Sequence, residues 1–335
     1  MNQHIETTCC ALQLPDGWDS LADNYFQTRA FLHHTEVYNP CNQKYYLFIR
    51  DGLLRTALVI YTLKLDMLTY LSIPSPFRMQ IIGIPCSVSS HGIIGEFAHV
   101  DTLISAIRKD EKGLLLMLNL NRPIELEGFT SGRTLPTIHI KNDYNSWESY
   151  LSALRADYRR RILSLSKPFA GIRQERGSCS EFTDNMYSQY LNVLKRSRGK
   201  LETLSCEFFR NLPEEFNLTA YYHAQFLLGW AITLKNKRIL YFFLGGINYQ
   251  LNKIYNTYFN ILSGIVKEGI QNKVSIIDLG QTAEIPKTRL GGTVKEMYML
   301  GNHSNRFLNG FLRAGRHLLE YKRSIPATHV FKEAR

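Results

Sequence analysis

Cysteine is scarce and badly placed for chemistry. The 335 residues carry six (Cys9, Cys10, Cys41, Cys86, Cys179, Cys206), with no C-x-x-C pair and no metal-ligand spacing. A disulfide framework and a zinc site are therefore not indicated, and the thiols read as buried or incidental groups of a reducing compartment. HxH, HExxH and the G-x-S-x-G elbow are missing, which leaves zinc chemistry and serine-based hydrolysis without support. Long apolar runs are missing too. The most apolar stretches, 53–65 and 113–120, are interrupted by charge or too short for the ~20 residues that span a bilayer. Residues 1–14 lack a basic segment followed by an apolar one, so they do not read as a signal peptide. The expectation is a soluble, cytoplasmic chain without a transmembrane segment. A peripheral membrane contact through a basic surface stays open.

What the chain does have is ordinary globular composition, 44% hydrophobic and 21% charged, which excludes a disordered or fibrous protein. Its length suits two domains. The net charge of +11 is unevenly spread. Residues 1–140 hold 11 Lys+Arg against 13 Asp+Glu, whereas 141–335 hold 29 against 16. A basic half of this kind suits an anionic partner, whether nucleic acid, membrane surface or phosphorylated ligand, unless the cations are merely solvated.

The periodicities predict the same order of elements twice. In the first half, a helix over 19–38 precedes strands at 44–50 and 53–63, joined by Asp51-Gly52, a strong hairpin signal. Strands at 67–72 and 80–84, a helix over 96–109, a buried strand at 113–120 and strands at 126–130 and 135–140 follow. In the second half, Asn145 and Glu148 are the expected cap of a helix reaching 167, which carries Arg155, Arg159, Arg160 and Arg161 on its other face. Helices at 184–195 and 206–212 come next. Strands at 218–224, 226–234 and 239–246 lead to a helix over 256–271, strands at 274–279 and 295–300, and a helix over 305–321. The reading is a duplicated α/β unit with mixed sheets, divided into domains at 1–140 and 141–335.

The segment 240–300 holds the most chemistry. A strand ending Gly245-Gly246 runs into a polar loop, 248–256, then a helix and a strand ending Asp278-Leu279-Gly280. A helix N-terminus at the carboxyl end of a sheet can take a phosphate. Gly246, Asn248, Tyr249 and Asn256 are candidates for that site, with Arg289 as a bidentate phosphate partner or a solvated arginine. Asp278 is a candidate base or acceptor-binding group, or else a loop cap, and Glu284 is a second candidate base. Lys287 would supply an ammonium to an oxyanion or phosphate, unless it is a surface lysine. His223 is a base candidate, although a lone histidine is more often structural, and the other histidines show no metal spacing.

These features resemble the GNAT acyltransferase superfamily, and more narrowly its double-GNAT, FemAB-like branch of peptidoglycan-branching-type transferases. The residues that carry the resemblance are the two similar halves, the basic helix at 147–167, the strand Gly229-Trp-Ala-Ile-Thr-Leu234, and Asp278-x-Gly280 followed by Lys287 and Gly291-Gly292. The resemblance implies two tandem GNAT-like domains and an N-acyltransferase without a metal. The donor would be an acyl-CoA, with aminoacyl-tRNA as the alternative. The acceptor would be an amine on a small molecule, peptide or cell-wall precursor, and tRNA would be a partner in the alternative case. The sequence departs from single-domain GNATs in one respect: 248–256 contains no glycine where a Gly-rich pyrophosphate loop is usual. A non-catalytic RNA- or phospholipid-binding protein on the same scaffold is the rival reading.

Overall fold

The computed structural model describes residues 2–64, 78–86, 88–197, 202–322 and 324–332. The strand expected at 67–72 lies outside them. In chain order the first elements are β1 (Gln3–Thr8), α1 (Trp18–Leu21), α2 (Arg29–Tyr38), β2 (Lys44–Arg50), β3 (Leu53–Lys64), β4 (Arg78–Ile82), β5 (Ile93–Gly95), α3 (Val100–Asp110), β6 (Leu114–Leu120) and β7 (Thr130–Lys141). Then come α4 (Trp147–Ala153), α5 (Ala156–Ser166), β8 (Arg173–Ser178), α6 (Asp184–Arg196), α7 (Cys206–Arg210), β9 (Phe216–His223), β10 (Phe226–Asn236) and β11 (Ile239–Ile247). The chain continues through α8 (Tyr249–Tyr255), α9 (Thr257–Gln271), β12 (Ile276–Gln281), α10 (Glu284–Thr288), β13 (Thr293–His303), α11 (Arg306–Ala314) and α12 (Arg316–Leu319).

Two compact units form. One takes Met1–Leu135 and Glu296–Lys322, the other Pro136–Lys295 and Arg323–Arg335. The first thus includes 296–322, a segment the sequence reading placed in the second half. The basic excess follows this division, because the second unit holds 25 Lys+Arg against 14 Asp+Glu and so carries the whole +11.

In the first unit β1, β2, β3 and β4 pair antiparallel in order, β6 joins β4 in parallel, and residues 298–303 of β13 pair antiparallel with β6. The β2–β3 hairpin turns at Asp51 (φ 52°) and Gly52 (φ 75°), the two positive φ values that a type I′ turn requires. The apolar stripe of α3, Val100, Leu103, Ile104 and Ile107, packs in one core with Leu58, Ile60, Leu115 and Met117.

The second unit repeats that order. β8, β9, β10 and β11 pair antiparallel, β12 joins β11 in parallel, and residues 137–141 of β7 pair antiparallel with β12. Between β11 and β12, α9 buries Ile261, Leu262, Ile265, Val266 and Ile270 in a core with Leu240 and Ile277. The last strand of each sheet is exchanged. Residues 137–141 follow β6 in sequence yet pair with β12, and 298–303 follow β12 yet pair with β6.

Tertiary contacts override some local expectations. The helix expected over 19–38 is cut into pieces because Asn24 and Thr28 each cap a new start, accepting from Phe26 N and Phe31 N. The helix expected over 145–167 is two helices: Leu154 is extended and bridges Phe331, and Arg155 N donates to Val330 O. Its cap is Ser146, paired reciprocally with Ser149, in place of Asn145 and Glu148. The strand expected at 126–130 is a turn, with Phe129 N donating to Leu126 O at 3.1 Å, and β7 starts only at Thr130 and takes in the strand expected at 135–140; the final helix is broken into α11 and α12. The polar loop expected at 248–256 is largely the helix α8. No helix among the described residues is long and apolar enough to cross a membrane.

Candidate functional site

The second unit contains a fork. β11 and β12 pair at Ile239↔Ile276, Leu240↔Ile277 and Tyr241↔Asp278, and the ladder stops there. Both strands run on, β11 to Ile247 and β12 to Gln281. Their main-chain groups on the facing edges are not joined to each other beyond that point. The corresponding parallel pair of the first unit stays joined from 79 to 82, where β4 ends.

Asp278 stands at the base of the fork. Residues directly opposite in a ladder project to one face, so the pairings Tyr241↔Asp278 and Asp278↔His139 put these three side chains in a row. Asp278 Oδ1 accepts from Thr137 Oγ1 at 2.7 Å and from Gly280 N at 2.8 Å. His139 Nε2 lies 3.3 Å from Oδ2. That approach is too bent for a hydrogen bond and is a charge–charge contact when the ring is protonated. Burial disfavours the Asp278 carboxylate. The His139 contact, the Thr137 hydroxyl and the Gly280 amide outweigh it and hold the group below the usual aspartate range. The His139 side chain is 26% exposed. Neither His139 nor Thr137 stands out in the sequence.

The turn after β12 is conformationally demanding. Gly280 (φ 72°), Thr282 (φ 60°) and Ala283 (φ 47°) are all left-handed, which costs about 1–2 kcal/mol at each non-glycine position. Lys287 ties this turn. Its Nζ donates to Gln281 O at 2.7 Å and to Gly280 O at 3.1 Å, and the residue is 2% exposed. Burial drives its pKa down to about 7, although the Asp278 and Glu284 carboxylates oppose the fall. Glu284, also buried, opens α10. The three candidates Asp278, Glu284 and Lys287 are therefore one buried electrostatic cluster.

The residues expected to hold a phosphate are arranged differently. Gly246 is a packing glycine: an added Cβ would lie 2.4 Å from Trp230 Nε1, whose N–H donates to Met186 O. Asn248 caps α8, its Oδ1 accepting from Gln250 N and Leu251 N. Asn252 Oδ1 takes Tyr258 N at 2.9 Å. Several amides that a bare helix N-terminus would offer are thus already satisfied by asparagine side chains. Asn256 is left-handed between α8 and α9, Tyr249 stacks under the Arg196 guanidinium at 3.7 Å, and Arg289 is half-buried beside α10. Tyr258 connects this group to the cluster: burial raises its phenol pKa, and the charges of both Tyr249 and Glu284 add to that rise. No group of three or more His, Cys, Asp or Glu among the described residues could hold a metal ion.

No protein-family model matches the sequence, and no curated protein matches it. Solved structures do. FemX superposes with a TM-score of 0.58 at 11% identity, covering 92% of this chain and all of that one. L-PGS from Bacillus licheniformis gives 0.50 at 10% identity over 86% of this chain and 91% of its own. A conserved protein of unknown function from Bacteroides thetaiotaomicron gives 0.50 at 11% over 82% and 89%. The fold is shared with FemX. In this fold the fork lies in the second of the two repeats, and Asp278 stands at its base.

Proposed function

We propose that this double-GNAT protein is an acyl- or aminoacyltransferase whose donor lies in the fork of the second repeat and whose acceptor is an amine. The observation that carries the reading is the end of the β11–β12 ladder at Asp278, the residue beside His139. The unjoined edges of the two strands beyond it offer N–H and C=O groups to the amides of an extended thioester or ester arm. Placed there, the donor carbonyl would face the His139 imidazole beside the Asp278 carboxylate. The imidazole would take the proton of the attacking amine as the C–N bond forms, and Asp278 would stabilise its protonated state. The thiolate or alkoxide of the carrier leaves as the tetrahedral intermediate collapses, taking a proton back. Lys287 acts by positioning: it holds the strained turn that carries the Gly280 amide to Asp278. The basic surface of the second unit suits a phosphate-bearing carrier, a coenzyme A or a charged tRNA.

The test is transfer from a panel of acyl-CoAs and charged tRNAs to amine acceptors, with Asp278→Asn as the control. The variant should keep its circular dichroism spectrum and lose about 10²–10⁴-fold in turnover. Unchanged turnover removes the pair from the mechanism.

A non-catalytic anion binder is the second reading, favoured by the +11 charge of the second unit and by the asparagine-filled helix starts at 248–258. It predicts binding that falls steeply with salt and ignores the carrier. Stoichiometric retention of one carrier at raised salt, read by native mass spectrometry, would count against it.

A further inference from the structure

The helix α11 is turned the wrong way for a globular protein. Phe307 is 84% exposed, Phe311 74% and Leu308 46%, and no residue of the helix is buried. At 100° per residue, Phe307 and Phe311 lie one above the other, opposite Asn309 and Leu312. That second pair fastens the helix. Asn309 Nδ2 donates to Gly128 O at 2.9 Å, its Oδ1 accepts from His303 N at 2.9 Å, and Leu312 packs on Gly301. The outward direction is therefore set by specific bonds on the inner side. Two stacked phenylalanines on a nine-residue helix exceed the scattered exposed apolar residues of an ordinary surface.

Charge says what covers them. Arg306 and Arg313 stand together on one side of the helix, about 120–140° round from the aromatic face, and residues 297–319 contain no Asp or Glu. A second copy packed antiparallel on this face in two-fold symmetry would set these arginines against each other. A cationic helix with exposed phenylalanine and leucine instead matches the profile of one that lies in a bilayer interface.

We propose that α11 is a membrane-docking element that seats Phe307 and Phe311 in the interface of a bilayer rich in anionic lipid, with Arg306 and Arg313 on the headgroups. The inference is independent of the transferase reading, because it uses none of the residues of the fork. The test is sedimentation of the full chain with vesicles of phosphatidylcholine alone and of phosphatidylcholine mixed with phosphatidylglycerol. The chain should bind the mixed vesicles and not the neutral ones. Phe307→Ser/Phe311→Ser should lower that affinity at least about tenfold, and Arg306→Gln/Arg313→Gln should lower it comparably and weaken its salt dependence. Both pairs are exposed, so thermal melts should stay at the wild-type temperature. The proposal is overturned by absent binding to the mixed vesicles or by equal binding of the phenylalanine variant. It is also overturned by a concentration-dependent dimer that this variant abolishes, seen in sedimentation velocity, in a chain that ignores vesicles.

Discussion

Lys287→Met is a direct test of the buried cluster, because its effect must change with pH in a known direction. In the folded chain the ammonium is enclosed, and its pKa falls from an ordinary 10.5 to about 7. In the unfolded chain it stays protonated up to its ordinary value. Between about pH 7 and 10.5 the unfolded state therefore binds the extra proton, and the wild-type chain gains stability as pH rises. The gain is about 1.4 kcal/mol per pH unit, so about 2–3 kcal/mol between pH 7 and 9. Below about pH 7 both states hold the proton and this contribution is flat at its least favourable level. The methionine variant lacks the group and this slope. It also leaves Gly280 O and Gln281 O without their donor, which costs about 1–3 kcal/mol for each carbonyl that finds no water. Urea unfolding at half-unit steps from about pH 6 to 9 reads the difference between the two chains, and other titrating groups cancel in it. The wild type should draw ahead of the variant as pH rises. Parallel curves across that range would mean that Lys287 stays charged in the fold, and the buried-ammonium account would be wrong.

His139→Gln keeps a polar group of similar reach but cannot take a proton, so kcat should fall about 10²–10⁴-fold with an unchanged circular dichroism spectrum. Wild-type turnover in this variant would assign the base elsewhere. Gly246→Ala forces a methyl to 2.4 Å from the Trp230 indole nitrogen and 3.0 Å from Gln189 Cβ, an overpacking of about 1–3 kcal/mol. It should lower the melting temperature by several degrees, and an unchanged melt would remove the packing explanation for that glycine.

Most of the second unit was readable from its patterns, for a physical reason. Its strands 9–12 and helix α9 bury whole apolar faces, and burial writes a period of two or 3.6 into the sequence. Asp278, Glu284 and Lys287 stood out as charges at the end of such an apolar strand, and the structure gathers them into one cluster. His139 did not stand out, because what makes it interesting is a ladder partner 139 positions away. Gly246 suggested a ligand cradle, but nothing local reveals that Trp230 fills that space. The break at Leu154 depends on Val330 and Phe331, and α8 depends on how Asn248 turns its amide. Such features are decided by contacts that no short window contains.

The exchanged strands set the order in which this chain can be finished. The first unit opens with β1, yet the strand that pairs with β6 is 298–303. During synthesis that unit would wait, with the edge of β6 uncovered, until residues 298–303 had been made. Ordinary tandem domains fold one after another as they emerge; here the first repeat cannot complete before its sibling has been made. A stop codon anywhere between the repeats would leave a first repeat with an open edge, and a single late truncation would damage the part of the protein made first.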